Sequence, residues 1–317
     1  MSEQTIPVVD LLDFTEGDGT QRAAFFQAIG DALNDTGFFA LVNHGVDQDV
    51  IRRAYAQAQA FFDQDEQVKL RYQRSELRGQ RGYISFGREH AKGNDAPDLK
   101  EFWHVGRELP PGHPALSVYG ANLWPDELPG FRTVMQDLYT QLECCSHALL
   151  TACAVYLGEA PDRFTSIAEN GDTILRVIHY PPVPEDRNPS SVRAAAHEDI
   201  NLITLLCEAT DDGLELLQRD GTWRPIRAVE GQIIVDAGDM LQNITNGVMK
   251  STTHRVVNPD NDRSRRFSMP FFVHPRGEAD LTPLESCVQR FDGEKRYPSW
   301  TAGEFLAKRL EEIGMGR

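Results

Sequence analysis

The residues best suited to chemistry in this chain are a set that can hold a redox metal. His197 and Asp199 stand two residues apart, and His254 follows 57 residues after His197 (254 − 197 = 57). Two imidazoles and one carboxylate on one side of a ferrous ion leave coordination positions open for a cosubstrate and for dioxygen. A catalytic zinc ion can take the same donors, so these residue types alone leave the metal open.

The spacing of these ligands indicates which elements carry them. Residues two apart on a β-strand project from one face, so His197 and Asp199 would point together while Glu198 points away. A zinc protease more often places its first pair four apart on a helix, as H-E-x-x-H, and no such string occurs. His254 lies in a run of β-branched residues, 251–257, that is typical of a strand. We therefore predict two facing strands, with the metal in the mouth of a small barrel or jelly roll.

A second pair of residues is suited to binding an anion. Arg266 follows His254 by 12 residues (266 − 254 = 12) and stands two before Ser268, within the strand-like run 265–273. Their side chains should face the same way, so a guanidinium fork and a hydroxyl would converge on one anion. The carboxylate at the far end of a keto acid is the guest that this pair predicts.

The N-terminal half is predicted to be rich in helices. Helical spacing and capping signals predict helices over 20–34, 47–63 and 126–157, with a short one after residue 65, and strands over 7–11 and 38–43. We expect the long helix to break at Gly130 and to end at Gly158. The polar, glycine-containing segment 73–111 is interpreted as a loop near the substrate entrance.

The C-terminal half is predicted to be mainly β. Short strand-like runs follow one another at 174–180, 192–197, 200–207, 214–218, 223–225, 232–235 and 240–244, ahead of the two ligand-bearing runs. Regularly spaced strands of this length favour a barrel or a sandwich. The chain contains no G-x-G-x-x-G, no G-x-x-x-x-G-K-[ST] and no G-x-S-x-G, which counts against a nucleotide-binding α/β fold and a hydrolase elbow.

Composition limits the partners. The 317 residues include 32 basic and 48 acidic ones, for a formal charge of −16, which argues against nucleic acid and anionic membranes as partners. Five cysteines without C-x-x-C spacing are typical of reduced thiols. With no signal-peptide pattern and no long apolar run, we expect a soluble cytoplasmic protein that acts on a small molecule. The oligomeric state is left open.

Several motifs in one order resemble a known family. They are GFFALVNHGV at 37–46, Tyr180-Pro181-Pro182, His197-x-Asp199, the run 246–256 and Arg266-x-Ser268-x-Pro270. The chain is similar, from residue 6 to about residue 276, to the isopenicillin N synthase-like non-haem iron(II), 2-oxoglutarate-dependent dioxygenases. This resemblance implies a mainly β fold with flanking helices. Its core would be a double-stranded β-helix (a cupin-like jelly roll), backed by a long helix and joined to an N-terminal α/β region.

The resemblance also implies an organisation along the chain and a set of roles. An N-terminal dioxygenase region would span 6–123, a helical spine 124–170, the jelly-roll core 171–276, and a C-terminal segment with a helix 277–317. The implied Fe(II) ligands are His197, Asp199 and His254, and the implied 2-oxoglutarate ligands are Arg266, Ser268 and Tyr180. The chain departs from many plant members at Ile178, where they have asparagine, which weakens the case for Tyr180.

The implied reaction would consume dioxygen and 2-oxoglutarate, with Fe(II) supplying the activation of dioxygen. Oxidative decarboxylation to succinate and CO₂ would be coupled to hydroxylation of a small molecule, with desaturation or ring closure as variants. Two alternatives stay open. One is an isopenicillin N synthase-type iron oxidase that uses no 2-oxoglutarate, and the other is a jelly roll that binds a small molecule without catalysis.

Substrate contacts are predicted from the same strand alternation. Arg176 shares a strand face with Tyr180, so it would line the mouth of the barrel. We hypothesise that Arg176 anchors a carboxylate of an amino acid or other small acid, although a surface arginine fits the pattern as well. Tyr83, Phe86 and Phe272 are also predicted to contact the substrate. Tyr83 and Phe86 would form an apolar wall together with Phe102 and Trp103, although ordinary packing fits these aromatic residues equally well.

Overall fold

Two β-sheets form the centre of the molecule. The computed structural model describes residues 6–77, 79–89, 96–188, 190–227, 229–258 and 263–312. Its strands are β1 Val8–Asp10, β2 Phe38–Val42, β3 Gly82–Ile84, β4 Glu101–Gly106, β5 Ile174–Tyr180, β6 Ala194–His197, β7 Ile203–Cys207, β8 Leu214–Leu217, β9 Trp223–Pro225, β10 Ile233–Ala237, β11 His254–Val256 and β12 Arg266–Val273. The predicted mainly β fold with a jelly-roll core is confirmed.

The larger sheet has eight strands in the order β1-β2-β10-β7-β12-β5-β4-β3, and the smaller has four in the order β6-β11-β8-β9. Only the β1–β2 pair, among the strand pairs of the described residues, is parallel. The C-terminal strands β10, β7, β12 and β5 therefore form the middle of the larger sheet. Strands from the N-terminal third of the chain, β1 with β2 and β3 with β4, lie at its two edges. The N-terminal region and the jelly roll share one continuous sheet.

The described residues also form ten α-helices, three of which pack against strands of the larger sheet. The ten helices are α1 Leu12–Thr15, α2 Gly19–Asp35, α3 Gln48–Phe62, α4 Glu66–Leu70, α5 Leu116–Tyr119, α6 Pro129–Leu157, α7 Thr165–Ala168, α8 Asp239–Ile244, α9 Glu285–Gln289 and α10 Ala302–Glu312. The long helix α6 packs against α2, α3, β7 and β12, as expected for a helix that backs the core. It ends at Gly158, whose φ of 80° is a left-handed cap. The predicted break at Gly130 is wrong, because α6 begins at Pro129 and Gly130 lies in its first turn.

The alternation of side chains along the strands separates a core from a cavity. On β12, Phe267, Met269, Phe271 and Val273 enter the main hydrophobic core, whereas the residues between them, Arg266, Ser268, Pro270 and Phe272, line a cavity between the sheets. The same division occurs on β5, where Leu175 and Val177 face the core. The core face of each strand therefore fixes which polar side chains converge on the opposite face.

Two sequence interpretations are corrected. The run 240–244, predicted as a strand, lies in helix α8, whose N-cap residue is Gly238. Met240, Leu241 and Ile244 are all buried there, and a short run that is buried all round shows no periodicity that separates helix from strand. The segment 73–111, predicted as a loop, contains β3 and β4. Residues 78 and 90–95 of that segment lie outside the described residues.

Among the described helices, none has the length and apolar character needed to cross a membrane. The five cysteines are free thiols, and all but Cys144 are buried. Burial raises the pKa of Cys145, Cys153 and Cys207 to about 12, so these thiols stay protonated and act as small apolar core residues.

Candidate functional site

The three predicted metal ligands converge. His197 ends β6, Asp199 follows two residues later, and His254 begins β11. The two strands pair so that His197 lies directly opposite His254, with ring centroids 4.4 Å apart. Asp199 Oδ1 lies 3.8 Å from His197 Nε2 and 3.9 Å from His254 Nε2. One atom from each residue lies within 4.8 Å of the others, so a single ion can contact all three.

Both imidazoles are oriented for metal binding. Nδ1 of His197 lies 2.8 Å from the Ala195 carbonyl oxygen, and Nδ1 of His254 lies 3.1 Å from that of Thr252. A carbonyl only accepts, so each Nδ1 is assigned the proton and each Nε2 keeps a lone pair directed toward Asp199. Burial, together with the neighbouring His254, lowers the pKa of His197 to about 4. His197 is therefore neutral at neutral pH, which is the form that binds a metal.

Polar neighbours fix the Asp199 carboxylate. The Thr204 hydroxyl donates to Asp199 Oδ2, and Asn201 Nδ2 donates to that hydroxyl over 2.9 Å. Asp199 Oδ1 is left to face the histidines. Glu198 points elsewhere, as the spacing predicted, since it accepts a hydrogen bond from Thr253. The donor set and its supports fit a ferrous ion bound on one side.

Next to the metal ligands lies a buried cation. Arg266 is 2% exposed, its Nε donates to the Asp211 carbonyl oxygen over 3.0 Å, and its guanidinium carbon lies 5.1 Å from the ring centroid of Tyr180. Its NH1 atom is buried and has no hydrogen-bond partner among the described residues. An unpaired charged donor in the protein interior costs free energy, so we expect an anion to bind this atom. Ser268, also buried, lines the same cavity.

These groups share one cavity of about 570 Å³ between the sheets. The larger sheet contributes Arg176, Tyr180, Arg266, Ser268 and Phe272, and the smaller sheet contributes His197 and His254. Apolar side chains such as Ile178, Leu206 and Val256 complete the walls. The structure thus brings together all six predicted metal and 2-oxoglutarate residues, and two of the four predicted substrate residues, Arg176 and Phe272.

Arg176 is held in place within the cavity by charged and aromatic partners. Its guanidinium carbon lies 4.4 Å from the ring centroid of Phe102 and 5.2 Å from that of Phe272. Its Nε donates to His104 Nε2 over 2.6 Å, and its NH1 lies 3.2 Å from the Glu89 carboxylate. Burial and the Arg176 charge lower the pKa of His104 well below its usual value, so His104 accepts this bond as a neutral ring.

The other two predicted substrate residues lie elsewhere. Strand register places Tyr83 opposite Trp103, and Trp103 opposite Val177, all on the core face of the sheet. The Tyr83 hydroxyl donates to the buried Glu101 carboxylate over 2.5 Å. Phe86 follows β3 in a turn and is 39% exposed. The Tyr83 assignment is therefore corrected because the register of β3 places it on the core face, and the Phe86 assignment is corrected because Phe86 is not among the residues that line the cavity.

Sequence reasoning missed three polar residues of the cavity, Lys100, Asp236 and the Thr204 that binds Asp199. Lys100 lies just before β4 and lines the cavity, with its Nζ 2.8 Å from both Glu89 and Asp98. Burial works against its charge, but these two carboxylates outweigh that effect and raise the pKa of Lys100. Asp236 also lines the cavity, and burial together with Asp199 raises its pKa well above the usual range. Alternation along β10 was the available signal for Asp236, whereas Lys100 fell in a segment interpreted as a loop.

Comparison with known proteins identifies the family. A sequence model described as the N-terminal region of non-haem dioxygenases in morphine synthesis matches residues 6–127, and the model of the 2OG-Fe(II) oxygenase superfamily matches residues 171–275. A 2-oxoglutarate-Fe(II) type oxidoreductase of Aspergillus fumigatus is 31% identical, over 96% of this chain and 92% of the relative. The chain belongs to the 2OG-Fe(II) oxygenase superfamily. The resemblance to its isopenicillin N synthase-like branch is thereby confirmed.

Other relatives of this oxygenase extend the comparison. A homoarginine-6-hydroxylase of Oryza sativa is 29% identical over 90% of this chain and 88% of its own. A 2OG-Fe(II) oxygenase family protein from Caulobacter crescentus has a TM-score of 0.87 and 41% identity, covering 98% of this chain and all of its own. A Neurospora crassa protein solved in complex with alpha-KG and thymine has a TM-score of 0.85 and 30% identity, with 96% coverage of both chains.

These findings establish the chemistry of the protein at the level of its class. It is a 2-oxoglutarate-dependent dioxygenase, an oxidoreductase that uses Fe(II), 2-oxoglutarate and O₂ on a small molecule. The two alternatives, an iron oxidase without 2-oxoglutarate and a binder without catalysis, have no comparable support. The buried, unpartnered nitrogen of Arg266 also fits an enzyme that takes an anionic cosubstrate.

Proposed function

We propose that this oxygenase hydroxylates a small acidic molecule, with Fe(II) held by His197, Asp199 and His254. The distal carboxylate of 2-oxoglutarate would bind Arg266 and Ser268, with the Tyr180 phenol beside it. The observation that carries this proposal is the convergence on a single cavity of three metal-binding atoms and a buried guanidinium whose NH1 atom has no hydrogen-bond partner among the described residues.

Each residue has a separate task in this scheme. Bound Fe(II) supplies the activation of dioxygen that couples decarboxylation of 2-oxoglutarate to oxidation of a substrate C–H bond. Thr204 keeps Asp199 Oδ1 directed to the metal side. Arg266 orients the cosubstrate through a charged, directional bond, while the apolar cavity walls limit the access of water.

The substrate class follows from the far side of the cavity. Arg176 and Lys100 bring two cations there, and Phe272 offers an aromatic face. Both cations contact Glu89, so the carboxylate of a substrate would compete with Glu89 for them. An amino acid or other small carboxylate can replace Glu89 as their partner. The relatives are consistent with a compact substrate, since one is named for homoarginine and the Neurospora crassa protein was solved with thymine.

A substrate screen tests the proposal. Purified protein with Fe(II), 2-oxoglutarate and O₂ would be offered amino acids, small carboxylates and pyrimidines, and succinate release would be measured. We expect a carboxylate-bearing compound to stimulate succinate release above the background. Stimulation by uncharged compounds alone would overturn the acidic-substrate assignment, and no 2-oxoglutarate consumption with any compound would overturn the residue roles.

Two variants separate the two anion sites. We expect Arg266→Ala to raise the KM for 2-oxoglutarate about 10- to 100-fold, because a buried charged hydrogen bond is lost. Arg176→Ala should instead raise the KM for the prime substrate and leave that for 2-oxoglutarate near wild type. Arg52→Ala, at an exposed position on α3, is the control. An unchanged substrate KM in Arg176→Ala would contradict the assignment of Arg176.

A further inference from the structure

A second buried arginine lies beside the proposed cosubstrate site. Arg193 is 0% exposed and sits just before β6, with its guanidinium carbon 5.9 Å from the ring centroid of Tyr180. Arg266 approaches the same ring at 5.1 Å. Burial and the nearby Arg266 charge lower the pKa of Arg193. Two buried guanidinium groups thus lie against the same aromatic ring, although their like charges repel each other.

Arg193 also connects the segments that hold Arg266. Its NH2 donates to the Ser264 carbonyl oxygen over 2.7 Å and to the Ser264 hydroxyl oxygen over 3.2 Å, two residues before Arg266 begins β12. Its NH1 lies 3.7 Å from the carboxylate of Asp211, whose carbonyl oxygen accepts the hydrogen bond from Arg266 Nε. Arg193 therefore braces both the start of β12 and the acceptor that orients Arg266.

The charge of Arg193 is incompletely compensated. Its Nε and NH1 are buried and make no hydrogen bond with any described residue. Asp211, at 3.7 Å, is 38% exposed at its side chain, so solvent weakens that pairing. A buried cation with so little compensation is costly in the free protein. The cost is offset when an anion enters the neighbouring pocket, because both guanidinium groups then act on it.

We propose that Arg193 is a positioning residue of the 2-oxoglutarate site: it holds Arg266 in register and adds a second positive charge that favours the cosubstrate dianion. Arg193 does not line the cavity, so its action passes through Arg266 and through the electrostatic field. The inference rests on the proposed role of Arg266. It goes further by assigning cosubstrate affinity to a residue outside the cavity.

The test measures binding of 2-oxoglutarate to Mn(II)-loaded protein by calorimetry, so that no turnover is needed. We expect Arg193→Met to raise the dissociation constant about tenfold or more, and Arg193→Lys, which keeps the charge, to recover most of that loss. Arg81→Met is the matched control, because Arg81 is also fully buried and pairs with Asp172 far from Tyr180. That control should lower stability without changing 2-oxoglutarate affinity.

A second variant, which changes the charge near the pocket in the opposite direction, keeps the proposal testable if Arg193→Met does not fold. Asp211→Asn removes the carboxylate nearest to Arg193 at a half-exposed position, so the pocket becomes more positive and 2-oxoglutarate should bind about threefold more tightly. A purely structural brace predicts weaker binding instead. The inference is overturned by an Arg193→Met affinity within about twofold of wild type, by equal loss in Arg81→Met, or by weaker binding in Asp211→Asn. Failure of the wild-type protein to bind 2-oxoglutarate would instead overturn the proposed function.

Discussion

The metal centre depends on residues beyond the three ligands. A carboxylate ligand has two oxygens, and its orientation is set by whatever binds the oxygen that does not face the metal. Thr204 performs this task for Asp199, and Asn201 in turn fixes the Thr204 hydroxyl. Asn201 and Thr204 are both buried, so water does not readily replace these bonds. The affinity for the metal should therefore respond to substitutions that leave all three ligands in place.

Thr204→Val tests this dependence. The substitution keeps the shape of the side chain and removes its hydroxyl, so Asp199 loses its fixed orientation, and we expect the affinity for Mn(II) or Co(II) to fall about 10- to 100-fold. Metal titration by calorimetry measures the effect. Thr173→Val is the control, since the Thr173 hydroxyl is also buried but accepts a hydrogen bond from the His274 backbone. Equal losses of metal affinity in both variants would contradict a specific role for Thr204.

At the scale of elements, strand β12 performs two tasks with alternate residues. Its odd-numbered side chains fill the core under α6, where Phe271 meets Tyr139 edge-on at 4.9 Å. Its even-numbered side chains line the cavity. Stability and recognition are therefore separated along one strand, residue by residue.

Neighbouring phenylalanines on β12 test that separation. Phe271→Ala should lower the free energy of unfolding by about 3–5 kcal/mol, because it opens a void in a fully buried core. Phe272→Ala should cost much less stability and should raise the KM for the substrate found in the screen, because Phe272 lines the cavity. Urea unfolding and steady-state kinetics measure the two effects. A reversed pattern would show that the strand register differs from the one described.

At the scale of the whole molecule, several histidines are buried in their neutral form. Burial lowers the pKa of His44, His104, His179 and His274 below the value expected in the unfolded chain. Below about pH 6.5 the unfolded chain takes up protons that the folded protein does not, so stability falls as the pH falls. Glu89 and Glu101, whose pKa values lie below the usual range because their partners outweigh the effect of burial, act in the same sense, but they take up protons mainly below about pH 5.

We therefore expect the metal-free protein to lose stability between about pH 6.5 and about pH 5.5. His104→Gln should reduce this pH dependence by up to one proton, or about 1.4 kcal/mol per pH unit, because the fully buried His104 no longer titrates on unfolding. Urea unfolding with a chelator present, at a series of pH values, measures the slope. His147→Gln, at an exposed position on α6, should leave it unchanged. An equal slope in both variants would contradict a contribution from His104.

The sequence by itself determined which residues are candidate ligands and how they group. Two-residue spacing on strands is a local property, so His197 with Asp199, and Arg266 with Ser268, were predicted to act in pairs. The long helix and its end at Gly158 followed from equally local signals. Glu198 was excluded as a ligand for the same reason, and its bond to Thr253 agrees with that prediction.

Only the tertiary structure decided which distant residues share the cavity. Tyr83 and Ile84 are neighbours in the chain, yet the register of β3 against β4 sends the first to the core and sets the second on the cavity side. Lys100 owes its position to the pairing of β4 with β5, and Arg193 owes its position to contacts with Asp211 and Ser264. A shift of register by one residue exchanges the two faces of a strand, and no local pattern fixes that register. The register is fixed instead by the free energy of packing the whole sheet against its helices.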